Sequence, residues 1–234
     1  VRVIQATTGG GFGGKAGVTM EILGAALATA VKGHPVKLRW TREQEFYNTY
    51  QRQGVVAKLK MGVKRDGTIT AIEHTLYWDA GAYVEYGANV VNAVGLSATG
   101  AYRVPNVKMD SVCVYTNLPP GGPYRGFGYS EFHFGLESHI TRLAKRIGLD
   151  PVEMRRRNAI VEGDTLPYGA PMTPSGLVEA IDRAAAAIEW GKKEVPDDPK
   201  KVIGKGFSLM WKAPAMPPNA SSSAFLKFSE DGSV

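Results

Sequence analysis

Cysteine is almost missing from this chain of 234 residues: Cys113 stands alone. One thiol cannot close an intrachain disulfide. An iron–sulfur cluster takes about four thiolates, so none can be built from this chain by itself. Long apolar runs are missing too. No stretch approaches the roughly 20 residues that a spanning helix needs, and no secretory leader opens the sequence. No membrane partner and a reducing, cytoplasmic setting are therefore expected. Segments that interleave basic residues with aromatics along one face are also lacking, although the net charge is +6. The positive charge gathers at Arg155, Arg156 and Arg157 and along 192–205. It reads as a solvated surface, with no nucleic-acid partner.

What is present is an ordinary globular composition, 44% hydrophobic, which argues against disorder over most of the length. Residues 1–6 alternate apolar and polar as a half-buried strand does. Val18, Ile22, Leu23, Ala26, Leu27, Ala30 and Val31 predict a helix over 15–32, stopped at Gly33 and Pro35. A strand is expected at 36–40. Thr41-x-x-Gln44 is a capping box for a short helix. Strands at 53–64 and 68–79 flank the hairpin signal Arg65-Asp66-Gly67. A small-residue helix at 84–98 and a strand at 107–117 follow. Three prolines and four glycines predict irregular backbone over 118–128. Helices are expected at 130–147, from Asp150-Pro151 onward, and at 176–190, with strands from about 206.

The fold class is therefore α+β: mixed sheets with packed helices, without strict strand–helix alternation. The Pro/Gly-rich stretch 161–175 suggests a first domain over 1–170 and the start of a second over 171–234. The opening at Val1 within a strand pattern, and the closing Asp231-Gly232 turn signal, lead us to expect a piece of a larger polypeptide.

The most specific stretch is Thr7-Thr8-Gly9-Gly10-Gly11-Phe12-Gly13-Gly14-Lys15. Gly9-x-Gly11-x-x-Gly14 fits a dinucleotide fingerprint, but Arg39 or Trp40 stands where the ribose-binding acid belongs. Gly9 to Lys15 fits most of a phosphate-binding loop, but Ala16 cannot supply the hydroxyl that Mg²⁺ needs. A plain turn between closely packed elements is a third reading. Against it, Phe12 is a large apolar side chain on backbone bare enough to approach a ligand, with N–H groups free for an anion or oxo ligand.

A second stretch has the same grammar: Pro123-Tyr124-Arg125-Gly126-Phe127-Gly128, then a helix. The two loops, in this order and spacing, resemble the molybdenum hydroxylase family of xanthine and aldehyde oxidoreductases. GHPVKLRWTREQEF, KRDGTITAIE, YRVPNV and LDPVEMRRRNAI resemble further family segments, so the likeness runs along essentially the whole chain. It implies a part of a larger molybdopterin-binding subunit. Gly11, Phe12, Gly13, Arg125 and Gly126 are then expected at the cofactor. The backbones of Phe12 and Arg125 would face the molybdenum without ligating it. Ala16, Tyr124 and Phe127 are expected at the substrate. The metal would be held by the pterin's own sulfurs, and the protein would supply donors and shape.

Two departures narrow the substrate. Xanthine-oxidising members carry a glutamate at the position of Ala16, and an arginine in the helix that here reads Val91-Asn92-Ala93-Val94. An aldehyde or an aromatic or N-heterocyclic substrate remains. The resemblance implies water as oxygen source and a general base farther toward the C-terminus than this chain reaches. It also implies an iron–sulfur partner, an FAD partner, and a cytosine dinucleotide form of the pterin. The rival readings are a phosphate- or dinucleotide-binding domain and a non-catalytic relative. His133 and Glu137, four apart on one helix, are expected as a surface or interhelical pair rather than metal ligands. Cys113 is expected as a small buried hydrophobe.

Overall fold

The computed structural model of the chain describes residues 2–4, 6–212 and 225–233. Its centre is a three-stranded mixed sheet in the order β2-β3-β4. Strand β2 (Val55–Val63) runs antiparallel to β3 (Ile69–Gly81), and β4 (Val107–Tyr115) runs parallel to β3. The β2–β3 turn forms where Asp66-Gly67 predicts it. Gly67 takes φ +90°, and the Asp66 carboxylate accepts from Thr68 N–H at 2.9 Å.

Strand β3 alternates strictly over its second half. Ile72, His74, Leu76, Trp78 and Ala80 are buried, while Glu73 and Tyr77 face solvent. The buried face packs against helix α4 (Tyr129–Arg146) through Phe132, Leu136 and Ile140. Helix α3 (Gly87–Gly95) carries the chain from β3 across to β4 and adds Val91 and Val94 to the same core. Helix α5 (Pro151–Asn158) starts as predicted, with the Asp150 carboxylate accepting from Val152 and Glu153 N–H. Helix α6 (Leu177–Ala187) packs on α5 through Ile181 in a separate small cluster with Val152 and Ala159.

The N-terminal third is looser. Helix α1 spans Glu21–Ala30, shorter than the predicted 15–32, and buries none of its side chains. Helix α2 (Arg42–Asn48) has the full capping box at Thr41 and Gln44. Two-residue strands β1 (Gln51–Arg52) and β5 (Gly121–Gly122) pair in parallel, so 118–128 is not wholly irregular.

Other expectations fail. Residues 2–4 and 6, and residues 36–40, are not strands. Neither are 206–212 or 225–233. Alternation marks a chain ready to pair, but a strand exists only beside a partner that accepts its hydrogen bonds. The strand expectations at residues 1, 5, 213–224 and 234 fall outside the described residues.

Candidate functional site

The site is built on bare backbone. In the first loop Gly10 (φ +116°) and Gly13 (φ +102°) occupy left-handed conformations, and Phe12 does so as well, at φ +52°. A phenylalanine rarely adopts this geometry unless its surroundings impose it. The second loop repeats the device: Phe127 sits at φ +55° between Gly126 (φ +110°) and Gly128 (φ +85°). A Cβ on Gly10 would lie 2.7 Å from the Phe12 ring, and one on Gly128 2.6 Å from Val90. Glycine is therefore required at both.

The two loops, more than 100 residues apart, meet. A Cβ on Gly13 would strike the Pro123 carbonyl and lie 2.9 Å from Tyr124 N. The Arg125 guanidinium carbon lies 5.3 Å from the centroid of the Phe12 ring, within cation–π range. Phe12, Tyr124 and Arg125 line two cavities at once. The larger, of about 880 Å³, adds Gly11, Lys15 and Arg42. The smaller, of about 320 Å³, adds Gly13, Gly126, Phe127 and Lys212. Ala16 is exposed and lines neither; its N–H closes a turn onto Gly13 O at 3.0 Å.

Sequence reasoning missed Arg52, which fastens the second loop. From β1 its Nη2 donates to Arg125 O at 2.7 Å, its Nη1 pairs with Glu131 at 3.0 Å, and its guanidinium covers the Tyr124 ring at 4.7 Å. The β1–β5 pairing that aims it needs bare backbone at Gly121, where a Cβ would lie 2.5 Å from Asp79 O. No local signal marks Arg52, because its partners are about 70 residues away.

His133 and Glu137 are buried rather than on the surface and do not pair with each other; Glu137 instead makes an interhelical pair with Arg155 of α5. Glu137 accepts from Tyr102 OH (2.5 Å), Arg155 Nε (2.8 Å) and Leu209 N–H (2.9 Å). Arg155, fully buried, also donates to Glu137 O, Thr141 Oγ1 and Pro151 O. Burial, then the Glu137 charge, pushes the Tyr102 hydroxyl well above its ordinary pKa. His133 Nδ1 donates to Tyr129 O at 2.8 Å, which leaves Nε2 to accept from Trp211 N–H at 3.3 Å. Burial lowers its pKa, in keeping with a neutral ring that can accept. Two side chains of α4 thus pin segment 206–212 along the helix. Cys113 is half-buried at the edge of the core, its Sγ 3.8 Å from Gln53 Nε2.

A nucleotide phosphate fits this loop poorly. Both nucleotide motifs run directly into a helix N-terminus. Here α1 begins only at Glu21, and the Glu21 carboxylate itself accepts from Thr19 and Met20 N–H at 2.8 and 3.0 Å. In contrast, the N–H groups of Gly10, Gly11, Phe12 and Gly13 donate to no acceptor among the described residues. Amides without partners and a wide cleft suit a polar cofactor; Lys15 and Arg42 line that cleft together with Glu21 and Glu45, and Arg42 pairs with Glu45 at 2.6 Å.

Fold and loops together define a cofactor-binding domain whose site is shaped by backbone rather than by side-chain ligands. The family profile described as Molybdopterin cofactor-binding domain matches residues 1–159, and the chain belongs to that family. The large molybdopterin subunit of nicotinate dehydrogenase from Eubacterium barkeri is 38% identical over 79% of this chain and 43% of its own length. The molybdenum-binding subunit of xanthine dehydrogenase from Escherichia coli O157:H7 is 37% identical over 82% of this chain and 26% of its own. The solved aldehyde oxidoreductase from Desulfovibrio gigas superposes with a TM-score of 0.73 at 33% identity, over 77% of this chain and 20% of that one. The chain thus spans less than half the length of each of these relatives. Its mixed α+β architecture matches the solved neighbour, and its relatives are molybdenum-dependent oxidoreductases.

Proposed function

We propose that this chain forms the part of a molybdenum hydroxylase subunit that grips the pterin cofactor, and that the whole enzyme oxidises an aldehyde or an aromatic or N-heterocyclic substrate. The observation that carries the reading is the contact of two glycine–phenylalanine loops around paired cavities, in a chain of this family. The residues present suit the cofactor. It brings sulfur ligands for its metal, so it asks the protein for amide donors, cations and a fixed outline. Gly11, Phe12, Gly13, Arg125 and Gly126 would hold it, with Lys15 toward its anionic end.

When bound, the cofactor supplies a two-electron oxidation with oxygen drawn from water. The chain's own work is positional. Arg52 fixes the Arg125 carbonyl, so the Arg125 amide keeps its direction. Tyr124 and Phe127 offer ring faces to a flat substrate, and Phe12 separates it from the larger cavity. The general base is assigned to residues beyond this chain, so the fragment alone does not turn over.

The cytosine dinucleotide form of the pterin, an iron–sulfur partner, an FAD partner, the remainder of the molybdopterin subunit and a cytoplasmic setting belong to the same proposal. So does a boundary near residue 170, which rests on the Pro/Gly-rich stretch 161–175, although Ile181 packs back across it onto Val152 and Ala159. The test is turnover by the whole complex in ¹⁸O-labelled water with an aromatic aldehyde: label in the acid product is expected, and label from O₂ instead contradicts the proposal.

A further inference from the structure

We propose that the smaller cavity selects a substrate that is both aromatic and negatively charged, with Lys212 receiving the anionic substituent. The inference rests on the functional reading above and deepens it.

The cavity of about 320 Å³ has ring walls from Phe12, Tyr124, Phe127 and Tyr129. This is the low end of the range for ligand pockets, roughly 300–1,000 Å³, and suits one or two fused rings. Its charged lining is cationic throughout: Arg125 and Lys212 are present and no carboxylate is. The two cations differ. The Arg125 guanidinium already lies over the Phe12 ring at 5.3 Å, and its carbonyl is held by Arg52. Lys212 makes no ion pair among the described residues, and its Nζ stands 5.5 Å from the centroid of the Tyr129 ring. That is near the outer limit of cation–π attraction, a hold that a carboxylate with charge-assisted hydrogen bonds outcompetes.

Lys212 is also delivered to the cavity by a built device. The preceding residue, Trp211, is fixed through its N–H to His133 Nε2, and Leu209 through its N–H to Glu137. Glu137 is in turn locked by Tyr102 and Arg155. A surface lysine with no task would not need four buried polar side chains beneath its strap. An uncharged apolar substrate would leave the exposed ammonium to water alone, whereas an aromatic carboxylate matches rings and cation together.

The same cation could instead serve a phosphate of the cofactor, and the experiment separates the two. Benzoate and the isosteric, neutral benzamide are titrated calorimetrically into the intact complex carrying the native chain, Lys212→Met or Lys212→Arg, with molybdenum content measured in each. The native complex is expected to bind benzoate about tenfold more tightly than benzamide. Lys212→Met should erase that preference and leave benzamide binding and molybdenum content unchanged, and Lys212→Arg should restore most of it. Equal affinity of the native complex for the two probes overturns the proposal, without reference to any variant. Loss of molybdenum in Lys212→Met also overturns it, by assigning the lysine to the cofactor. Absence of molybdenum from the native complex defeats the underlying enzyme reading instead, and the benzoate preference is then read on its own.

Discussion

Gly13 stands so close to Pro123 that a side chain of any size on it would enter the Pro123 carbonyl. This contact joins two loops that the sequence keeps 110 positions apart, and both cavities open beside it. Gly13→Ala meets the clash and a φ of +102° together. Strain of this kind costs about 1–3 kcal/mol from the backbone alone. Gly9→Ala has open space around its added methyl. Thermal melting should therefore drop for Gly13→Ala and stay within error for Gly9→Ala. Equal melting temperatures would place the two loops apart.

The Glu137–Arg155 pair is buried on both sides, with side-chain exposures of 7% and 0%. Removing one partner strands the other, which costs about 3–5 kcal/mol. Arg155→Met should lower the unfolding free energy by that order in urea titrations. Arg155→Met with Glu137→Met should recover part of the loss, because no charge is then left uncompensated. A double variant worse than the sum of the single ones would contradict this.

His74 supplies a pH dependence. It is fully buried in β3 against Phe132 with neither ring nitrogen hydrogen-bonded among the described residues, and burial pulls its pKa from 6.5 to about 4. The folded state therefore keeps the ring neutral where the unfolded chain protonates it. Stability from this residue is intact above pH 6.5 and falls as pH drops toward 4, by about 3 kcal/mol in all. His74→Leu should flatten the difference between urea midpoints at pH 7 and pH 4.5. An unchanged slope would show that the ring is solvated or partnered.

Much of this was legible in sequence, and the reasons differ by element. The hairpin at 65–67, the capping box at Thr41 and the start at Asp150-Pro151 are decided by atoms within four residues of each other, so short motifs suffice. The extended segments at 36–40 and 206–212 carry strand patterns but have no pairing neighbour among the described residues, which no local pattern reports. That the two glycine loops meet was signalled by their shared grammar, because bare backbone is written directly in composition. Arg52, and Lys212 at the cavity rim, gave no sign of their places beside the loops. Each acts across more than 70 residues, and lysine or arginine on an extended segment is otherwise commonplace.

Helix α1 offers a dynamic test. Ile22, Leu23 and Leu27 are exposed by 72%, 48% and 40%, and none of its residues is buried. A ten-residue helix without tertiary contacts is marginal in water. In the chain by itself, amides 21–30 should exchange with solvent at rates near those of an unstructured peptide, while the core of α4 is protected to the global limit. Equal protection of the two helices would contradict the exposed position of α1.

The central claim is that the two bare loops jointly hold a pterin-bound molybdenum. The direct measurement is elemental analysis of the natively purified complex, comparing the native chain with Gly13→Ala and Gly9→Ala. Molybdenum equimolar with the native and Gly9→Ala chains, and lost from Gly13→Ala, is the predicted result; a native complex devoid of molybdenum, or a Gly13→Ala complex fully loaded with it, contradicts the account.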